Sequence, residues 1–493
     1  MNILLFDTGD VRNEYNEPLG IELLAACLER TLGSVVKIDM KWYSKDGLDF
    51  SIDRYDVIGV GIHIEGISVF EALYKMYESA GSSACFVVGN TVSTFGYSQL
   101  LTQYPDILCA IGEGEIMFTK LVEGLLTTNN IDLRRIPNMA YSEKGNIVVT
   151  NRTVCNLNEY VPPIRKFNTF IKEKTGIARI EASRGCSWNK CSFCGVAHKY
   201  PNSKWRPIPV NEIIAQLIDL SDNGLTSVYF SDEDFIGDDT ERFRFLVEQI
   251  KQNVIAGKIS ENIKYFISVK PTDVADDERF NTIEMFTQYG LKELFIGIES
   301  GCTNQIQRYN KCTKVDTNSR VIKKLQSLNV AIDLGFIFFD YDMTLQDIQD
   351  NLCFISKNEL QGHSSLLKPL RLQPFTKIFY DIPAEILKDF SLEQMMYAYK
   401  FKDKTVEEIF NCFSSLGLER YAHKVQSFFR KSLSSIDERE ESRKQLVKIR
   451  VLQFEALSII VEHYSGDSRD NHILEEQLAY IKSKIIKLGN LYG

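Results

Sequence analysis

Hydrophobic positions in the first 125 residues fall in short β-branched and aromatic runs separated by stretches of helical period. Runs at 3–7, 35–39, 56–62, 85–89 and 107–111 read as strands, with helices at 20–30 and 69–79 between them. Such alternation builds a parallel sheet covered by helices. Five strands in a doubly wound sheet open a ligand crevice at their carboxyl ends. The loops there are Thr8-Gly9-Asp10, His63-Ile64-Glu65-Gly66, Gly89-Asn90-Thr91 and Gly112-Glu113-Gly114-Glu115. Glycine at such turns lets the backbone approach a bulky ligand.

Residues 126–175 are less regular. A hairpin is expected at 139–141 and 147–150 around Ser142-Glu143-Lys144-Gly145-Asn146, followed by a Pro162-Pro163 linker. The expected divisions are therefore a Rossmann-like domain at 1–130 and a hairpin with linker at 131–175. A second alternation then repeats six times, with strands at 177–183, 227–232, 264–270, 293–299, 331–339 and 367–373. Helices at 210–220, 240–252, 317–328 and 345–355 lie between them. Six βα units predict a partial (β/α)6 TIM-like barrel over 176–374, with its working loops at the strand carboxyl ends. From 375 to 493 the strand signals stop. The aromatics Phe379, Tyr380, Phe390, Tyr397 and Tyr399 and the charged run 437–443 predict a helical C-terminal cap. The fold class is α/β.

A chain of 493 residues exceeds a single hydrophobic core and predicts two or three domains. Apolar residues make up 44% and charged residues 25%, without 18 consecutive apolar positions, so no membrane span is expected. The opening Met1-Asn2-Ile3-Leu4-Leu5-Phe6-Asp7 reads as a first strand rather than a signal peptide, which predicts a cytoplasmic protein. A net charge of -9 argues against nucleic acid and favours a small-molecule or peptide substrate. The eleven cysteines, in a reducing compartment, do not suggest disulfides. Eight are scattered singly and read as small core residues, as in Ala84-Cys85-Phe86-Val87-Val88.

The densest chemical signal follows the first barrel strand: Arg184-Gly185-Cys186-Ser187-Trp188-Asn189-Lys190-Cys191-Ser192-Phe193-Cys194. Cys186, Cys191 and Cys194 form a C-x4-C-x2-C run whose three thiolates can share one centre. Structural zinc takes four protein ligands, and His198 is the only nearby fourth donor. Three thiolates on an iron–sulfur cubane instead leave one iron open to a cofactor or substrate.

This run resembles the radical S-adenosylmethionine (SAM) superfamily, in which an aromatic residue such as Phe193 precedes the last cysteine. The first spacer is one residue longer than the usual C-x3-C-x2-C. The resemblance implies a [4Fe-4S] cluster and a SAM cofactor whose cleavage gives a 5'-deoxyadenosyl radical. It places SAM contacts at the strand ends: Asp232 and Asp234 in Tyr229-Phe230-Ser231-Asp232-Glu233-Asp234-Phe235, Ser268 and Lys270 after the third strand, and Glu299 and Ser300 in Gly297-Ile298-Glu299-Ser300-Gly301. Glu299 would accept from the ribose hydroxyls, and the stretch continues through Gln305, Arg308, Asn310 and Lys311. No residue is singled out as catalytic, because the radical chemistry belongs to the cofactor.

The first 125 residues resemble the flavodoxin-like cobalamin-binding (B12) domain found ahead of many such enzymes. The matching pieces are Glu17-Pro18-Leu19-Gly20, Asp56-Val57-Ile58-Gly59-Val60-Gly61, Val87-Val88-Gly89-Asn90 and Ala110-Ile111-Gly112-Glu113-Gly114-Glu115. The resemblance implies cobalamin contacts at Thr8, Gly9, His63, Gly89, Asn90, Thr91, Gly112, Glu113 and Gly114. Gly89-Asn90 departs from the usual paired glycine. The absence of Asp-x-His-x-x-Gly removes the motif that supplies a lower cobalt ligand; His63, after the third strand, could face cobalt, although a lone histidine more often makes a local hydrogen bond.

Taken together, the resemblances imply a cobalamin-dependent radical SAM methyltransferase acting on an unactivated carbon of a natural product or peptide. In that cycle one SAM methylates the reduced cobalamin and another supplies the radical. An external electron donor such as flavodoxin or ferredoxin is also implied. The alternatives are a radical SAM cyclase, rearrangement enzyme or epimerase without bound cobalamin, and a non-enzymatic iron–sulfur redox sensor.

Overall fold

The run Ile3-Leu4-Leu5-Phe6 is buried on both sides, with Ile3 and Leu5 in one core and Leu4 and Phe6 in another. A strand covered by helices on both faces reads as such a continuous apolar run. The computed structural model describes residues 1–9, 15–127, 131–174, 176–202, 204–363, 367–431, 436–466 and 470–490. The expected loop residue Asp10, and the side chains of the charged run 437–443 apart from Glu441, lie outside the described residues.

β1 (Asn2–Asp7), β2 (Lys37–Trp42), β3 (Val57–Gly61), β4 (Cys85–Gly89) and β5 (Leu108–Ala110) form parallel pairs in the order β2-β1-β3-β4-β5. This is the doubly wound order, whose crevice opens between β1 and β3. The second strand starts two residues later than the sequence suggests. The helix Leu19–Leu32 stops at Gly33, whose φ is 54°, and Gly33–Val35 makes a 3-10 turn first. β6 (Met139–Glu143) and β7 (Asn146–Val149) form the expected hairpin and extend the sheet antiparallel beyond β5. Lys144 and Gly145 take positive φ at its two-residue turn, the geometry that matches the twist of the flanking strands.

The second sheet begins at β8 (Ala178–Ile180). β9 (Ser183–Arg184) and β10 (Arg206–Pro207) then pair antiparallel and close off the cysteine loop between them. β11 (Ser227–Phe230), β12 (Lys264–Val269), β13 (Leu291–Glu299) and β14 (Ala331–Phe336) follow β8 in chain order, all parallel. One face of this sheet buries Ile180, Phe230, Ile267, Leu294 and Leu334 against the outer helices Val210–Asp222, Thr240–Ile255, Asp277–Gln288 and Val315–Gln326. Each such side chain contributes about 1.5–3 kcal/mol. The alternate positions Arg179, Tyr229, Phe266 and Phe295 occupy the other face and are less buried, Phe295 being 39% exposed.

Two sequence expectations change. The sixth barrel strand, at 367–373, is reduced to isolated bridges, Phe339 to Pro369 and Leu372 to Tyr397. Pro369 has no N–H to continue a ladder beside β14. After 375 the chain does not turn wholly helical: a short helix at Lys377–Asp381 is followed by an antiparallel hairpin, β15 (Leu387–Ser391) and β16 (Met396–Tyr399), before the longer helices from Lys404 onward. Of the aromatics first read as a helical face, Phe379 and Tyr380 stay in the short helix and Phe390, Tyr397 and Tyr399 lie in the hairpin. Phe390 and Phe379 each pack on Tyr397 with ring centroids 5.0 Å apart, the aromatic pairing that favours strands. Among the described residues no helix is long and apolar enough to cross a membrane.

Candidate functional site

Most of the residues expected at cobalamin face the barrel across a cavity at the carboxyl ends of the two sheets, whereas the three cysteines and the expected SAM contacts are not among its lining residues. This cavity, of about 400 Å³, is lined on the N-terminal side by Asp7, Gly61, His63, Gly89, Asn90, Thr91, Gly112, Glu113 and Gly114. Arg179, Glu181, Arg184, Lys199, Tyr200 and Ser231 line it from the barrel side.

The cysteine loop is held at both ends. Gly185 has a φ of 89°, and a Cβ there would collide with the Lys204 carbonyl, so only glycine fits ahead of Cys186. Its N–H donates to Glu233 Oε2 at 3.2 Å. The Ser187 N–H and hydroxyl donate to Asp234 Oδ2 at 2.9 and 2.8 Å, while Lys270 Nζ donates to Asp234 Oδ1 at 2.5 Å. Burial works against the Lys270 charge, but Asp273 and Asp234 outweigh it and hold the ammonium protonated. At the far end of the loop, Ser192 N–H donates to the Tyr309 carbonyl at 2.9 Å, Ser192 Oγ to the Arg308 carbonyl at 2.7 Å, and Trp188 Nε1 to the Asn310 carbonyl at 2.8 Å. Phe193 packs edge-on against Tyr309 at 5.0 Å.

The three thiols are half-buried. Burial pushes Cys186 up to about 11 and Cys191 up to about 12, and it raises Cys194 too. Lys311 counters that rise at both Cys191 and Cys194, and Lys270 counters it at Cys186. Among the described residues, no three His, Cys, Asp or Glu side chains already converge to metal-ligating positions. His198, the alternative fourth donor for zinc, is directed elsewhere: its ring stacks on Phe375 at 4.2 Å and lies 5.5 Å from Phe95.

The expected SAM-contact residues separate into two groups. Glu299 and Lys311 stand together beside the thiols, Lys311 Nζ donating to Glu299 Oε1 at 3.0 Å. Glu299 ends β13 at an irregularity in the ladder and holds a φ of 66°. A bulge with left-handed backbone re-aims a side chain at a strand end, at a cost typical of functional sites. Asp234 and Lys270 form the pair that fixes Ser187. Ser268 lies buried on β12. Asp232 and Ser300, in contrast, are engaged by the protein itself. The Asp232 carboxylate accepts from Ala182 N–H at 3.0 Å and Ser183 Oγ at 2.5 Å, and burial pushes its pKa up to about 8. Ser300 is fully buried, bonded to Gln305 at 2.5 Å and Asn351 at 2.9 Å.

In the N-terminal half, His63, Gly89, Asn90, Thr91, Gly112, Glu113 and Gly114 line the cavity, whereas Thr8 and Gly9 are not among its lining residues. Thr8 is fully buried and its Oγ1 accepts from His63 N–H at 3.0 Å. Gly9 packs against Trp42 and Ser44. His63 Nε2 lies 3.1 Å from Asp7 Oδ2 and 3.4 Å from Asn90 Nδ2. Burial would lower the His63 pKa, but the Asp7 carboxylate outweighs it and raises the value. Gly112 takes a φ of 75°, with its Cα turned to Arg152 and the Lys199 carbonyl.

Glu113 has a role the sequence did not suggest. It accepts from Arg184 and Arg206, each at 2.9 Å, and from Cys155 N–H at 2.6 Å. Arg184 in turn reaches Glu115 at 2.6 Å and Glu181 at 2.8 Å. Glu233, which binds Gly185, Lys199 and Tyr200, was also missed, although it stands within the acidic run Asp232-Glu233-Asp234. Arg184 and Arg206 carried no signal beyond flanking the cysteine loop.

Residues 180–355 match the family model of the radical SAM superfamily. The chain is 27% identical over 344 residues to the 4'-phospho-dehydrooxetanocin synthase of Priestia megaterium, a match covering 65% of this chain and 44% of that protein. The chain thus spans less than half the length of that relative. Among solved structures, the cobalamin-dependent SAM radical enzyme OxsB with aqua-cobalamin bound superposes with a TM-score of 0.80 at 19% identity, covering 100% of this chain and 79% of OxsB. The radical SAM methyltransferase TsrM from Kitasatospora setae, with cobalamin and a [4Fe-4S] cluster bound, gives 0.66 at 14% identity and covers 78% of each chain. Residues 180–355 thus form a radical SAM domain, and the fold of the chain is like that of the cobalamin-dependent enzymes OxsB and TsrM. A radical SAM domain implies a [4Fe-4S] cluster and SAM, in agreement with the reading of the cysteine run.

Proposed function

We propose that this chain is a cobalamin-dependent radical SAM enzyme acting at a carbon of a small molecule or peptide, the substrate lying in the cavity between its two sheets. The observation that carries this reading is continuity. Glu113 on the cobalamin-type crevice and Arg184, two residues before Cys186, are one ion pair on the wall of one cavity.

The residues suit the groups by chemistry. Three soft thiols within nine residues suit iron–sulfur rather than magnesium or calcium, and Lys311 and Lys270 favour their thiolate forms. Glu299, Lys311, Asp234, Lys270, Ser268 and Phe193 would hold SAM. His63, Gly89, Asn90, Thr91, Gly112 and Gly114 would hold cobalamin. At Gly89 and Gly114 an added Cβ would meet no atom closer than 3.8 and 3.7 Å, so the missing side chains leave backbone open toward the cavity. When bound, the cluster and SAM supply a 5'-deoxyadenosyl radical, and cobalamin supplies a cobalt centre for group or electron transfer. The chain orients these groups and closes the cavity with the Glu113, Arg184, Arg206 and Glu233 network. Nε2 of His63 is engaged by Asp7, so only Nδ1 of the ring could serve a ligand in the crevice.

The finer reaction has two readings. Methyl transfer is supported by the likeness to a methyltransferase, TsrM. Ring formation or rearrangement without methyl transfer is supported by relatives described as a synthase and a cyclase. Anaerobic reconstitution followed by desalting tests the shared core: about one cobalt per chain, with reductant-dependent 5'-deoxyadenosine, is expected. Loss of both would sink the reading. SAM labelled in its methyl group then separates the two reactions once an acceptor is found, since only methyl transfer moves the label into product.

A further inference from the structure

The cavity between the sheets has three basic side chains on its barrel side, and two are already paired. Arg184 is held by Glu113, Glu115 and Glu181, and Lys199 by Glu233. Arg179 is different. Its guanidinium lies 5.6 Å from the Tyr229 ring, makes no carboxylate pair among the described residues, and leaves Nε buried without a hydrogen-bond partner. On the neighbouring strand, two residues beyond Tyr229, the Ser231 hydroxyl is also buried without a partner. Register places the two on one face, a diagonal step apart: Arg179 pairs with Tyr229 and Ile180 with Phe230, so Ser231, whose N–H donates to the Ile180 carbonyl at 2.8 Å, follows opposite Glu181. Both residues line the cavity. Buried polar groups without partners are costly in a folded protein. A guanidinium fork beside a hydroxyl is the donor set that completes itself on a phosphate or carboxylate.

We propose that Arg179 and Ser231 form an anion-binding subsite of this cavity, which holds a phosphate or carboxylate group of the substrate. The inference rests on the function proposed above and narrows its substrate to a small molecule bearing such a group. Tyr229, stacked under the guanidinium, fixes the fork in one plane and so limits the rotamer freedom lost on binding. The anion sits on the barrel side of the cavity, across from His63, Asn90 and Gly89. This leaves the part of the molecule that reacts between the cobalamin crevice and the cysteine loop.

The test uses inorganic phosphate as the probe, titrated calorimetrically into the chain reconstituted with its cluster, cobalamin and SAM. One phosphate per chain is expected. Arg179→Ala should weaken it about tenfold or more, Ser231→Ala severalfold, and Arg179→Lys should be intermediate, as for a charged hydrogen bond. Absence of binding to the wild-type chain, or equal binding by Arg179→Ala, overturns the subsite. A cobalamin nucleotide tail and the SAM carboxylate are alternative sources of the anion. Phosphate that binds only before SAM or cobalamin is loaded assigns the site to that cofactor and overturns the substrate assignment. The two proposals fail separately. Phosphate held through Arg179 by a chain that takes up neither cobalt nor SAM removes the function and leaves the subsite. Cofactor uptake and deoxyadenosine without phosphate binding does the reverse.

Discussion

Glu113 Oε1 accepts a hydrogen bond from Arg184 Nη1 at 2.9 Å, joining a loop at the end of the first sheet to the residue that precedes Gly185-Cys186. The same oxygen accepts from Arg206 Nη2 at 2.9 Å. Removing one partner of a buried pair typically costs about 3–5 kcal/mol, because the remaining charges are left without compensation. Glu113→Ala should therefore lower the urea midpoint markedly and reduce cobalt retention together with SAM cleavage. A stability change with both cofactor functions intact would mean the ion pair does not couple them. Burial raises the Glu113 pKa, but Arg184 and Arg206 outweigh it and hold it low. Its contribution is present above the unfolded carboxylate value of about 4.3 and is lost as pH falls through the lower folded value. Glu113→Gln should lose that acid-side slope in unfolding measurements.

Asp232 has the opposite sign. Its folded pKa of about 8, raised by burial, makes the folded chain keep a proton that the unfolded chain gives up. The associated stability is complete below the unfolded value near 3.9 and is progressively lost as pH rises to about 8, with no further change above it. Unfolding curves measured from pH 5 to pH 9 should show this decline in wild-type protein and a flatter profile in Asp232→Asn. Parallel profiles would remove Asp232 as its source.

Substitution of Cys191 by Ala should abolish iron incorporation at the loop and SAM cleavage, with the far-ultraviolet dichroism unchanged, because the thiol contributes no hydrogen bond to either sheet. Undiminished deoxyadenosine formation would defeat the assignment of the three cysteines to the cluster.

Glu299 offers a way to separate backbone strain from binding. A non-glycine residue in the left-handed region costs roughly 1–2 kcal/mol, which Glu299→Gly recovers. The change also strands the buried Lys311 ammonium, so the variant should be less stable than wild type and should regain stability when combined with Lys311→Met. It also removes the carboxylate that faces Lys311, and the KM for SAM should rise about tenfold or more. Lys311→Met should raise KM as well. An unchanged KM in both variants would exclude this pair from the cofactor site.

His63→Gln should leave cobalt stoichiometry unchanged, since glycine-lined backbone rather than the ring makes most of the crevice and Nε2 is bonded to Asp7. Loss of cobalt in this variant would identify His63 as a ligand. A nuclear magnetic resonance titration of the ring should give a pKa above the ordinary imidazole value of about 6.5 in wild type and a lower one in Asp7→Asn, because the Asp7 charge raises it.

The sequence by itself determined the two α/β alternations, the hairpin at 139–150 and the cysteine run, because each is written in local pattern. Apolar runs of strand length, Lys144-Gly145 at a turn and three thiols within nine residues need no distant partner to be read. The cavity-lining glycines were legible for the same reason. Tertiary structure decided how the charged groups are used. Asp232 and Ser300, expected at the cofactor, also bind within the fold, the first to Ala182 and Ser183 and the second to Gln305 and Asn351. Glu113 is matched to Arg184 from 71 positions away, and nothing local in either segment indicates that meeting. The sixth barrel strand and the aromatic stretch after 375 were misread because a strand needs a neighbour. Pro369 interrupts one ladder, and Tyr397 finds Phe390 only after the chain has turned back on itself. The unpaired Arg179 and Ser231 likewise became visible only when the fold showed which polar groups lack a partner.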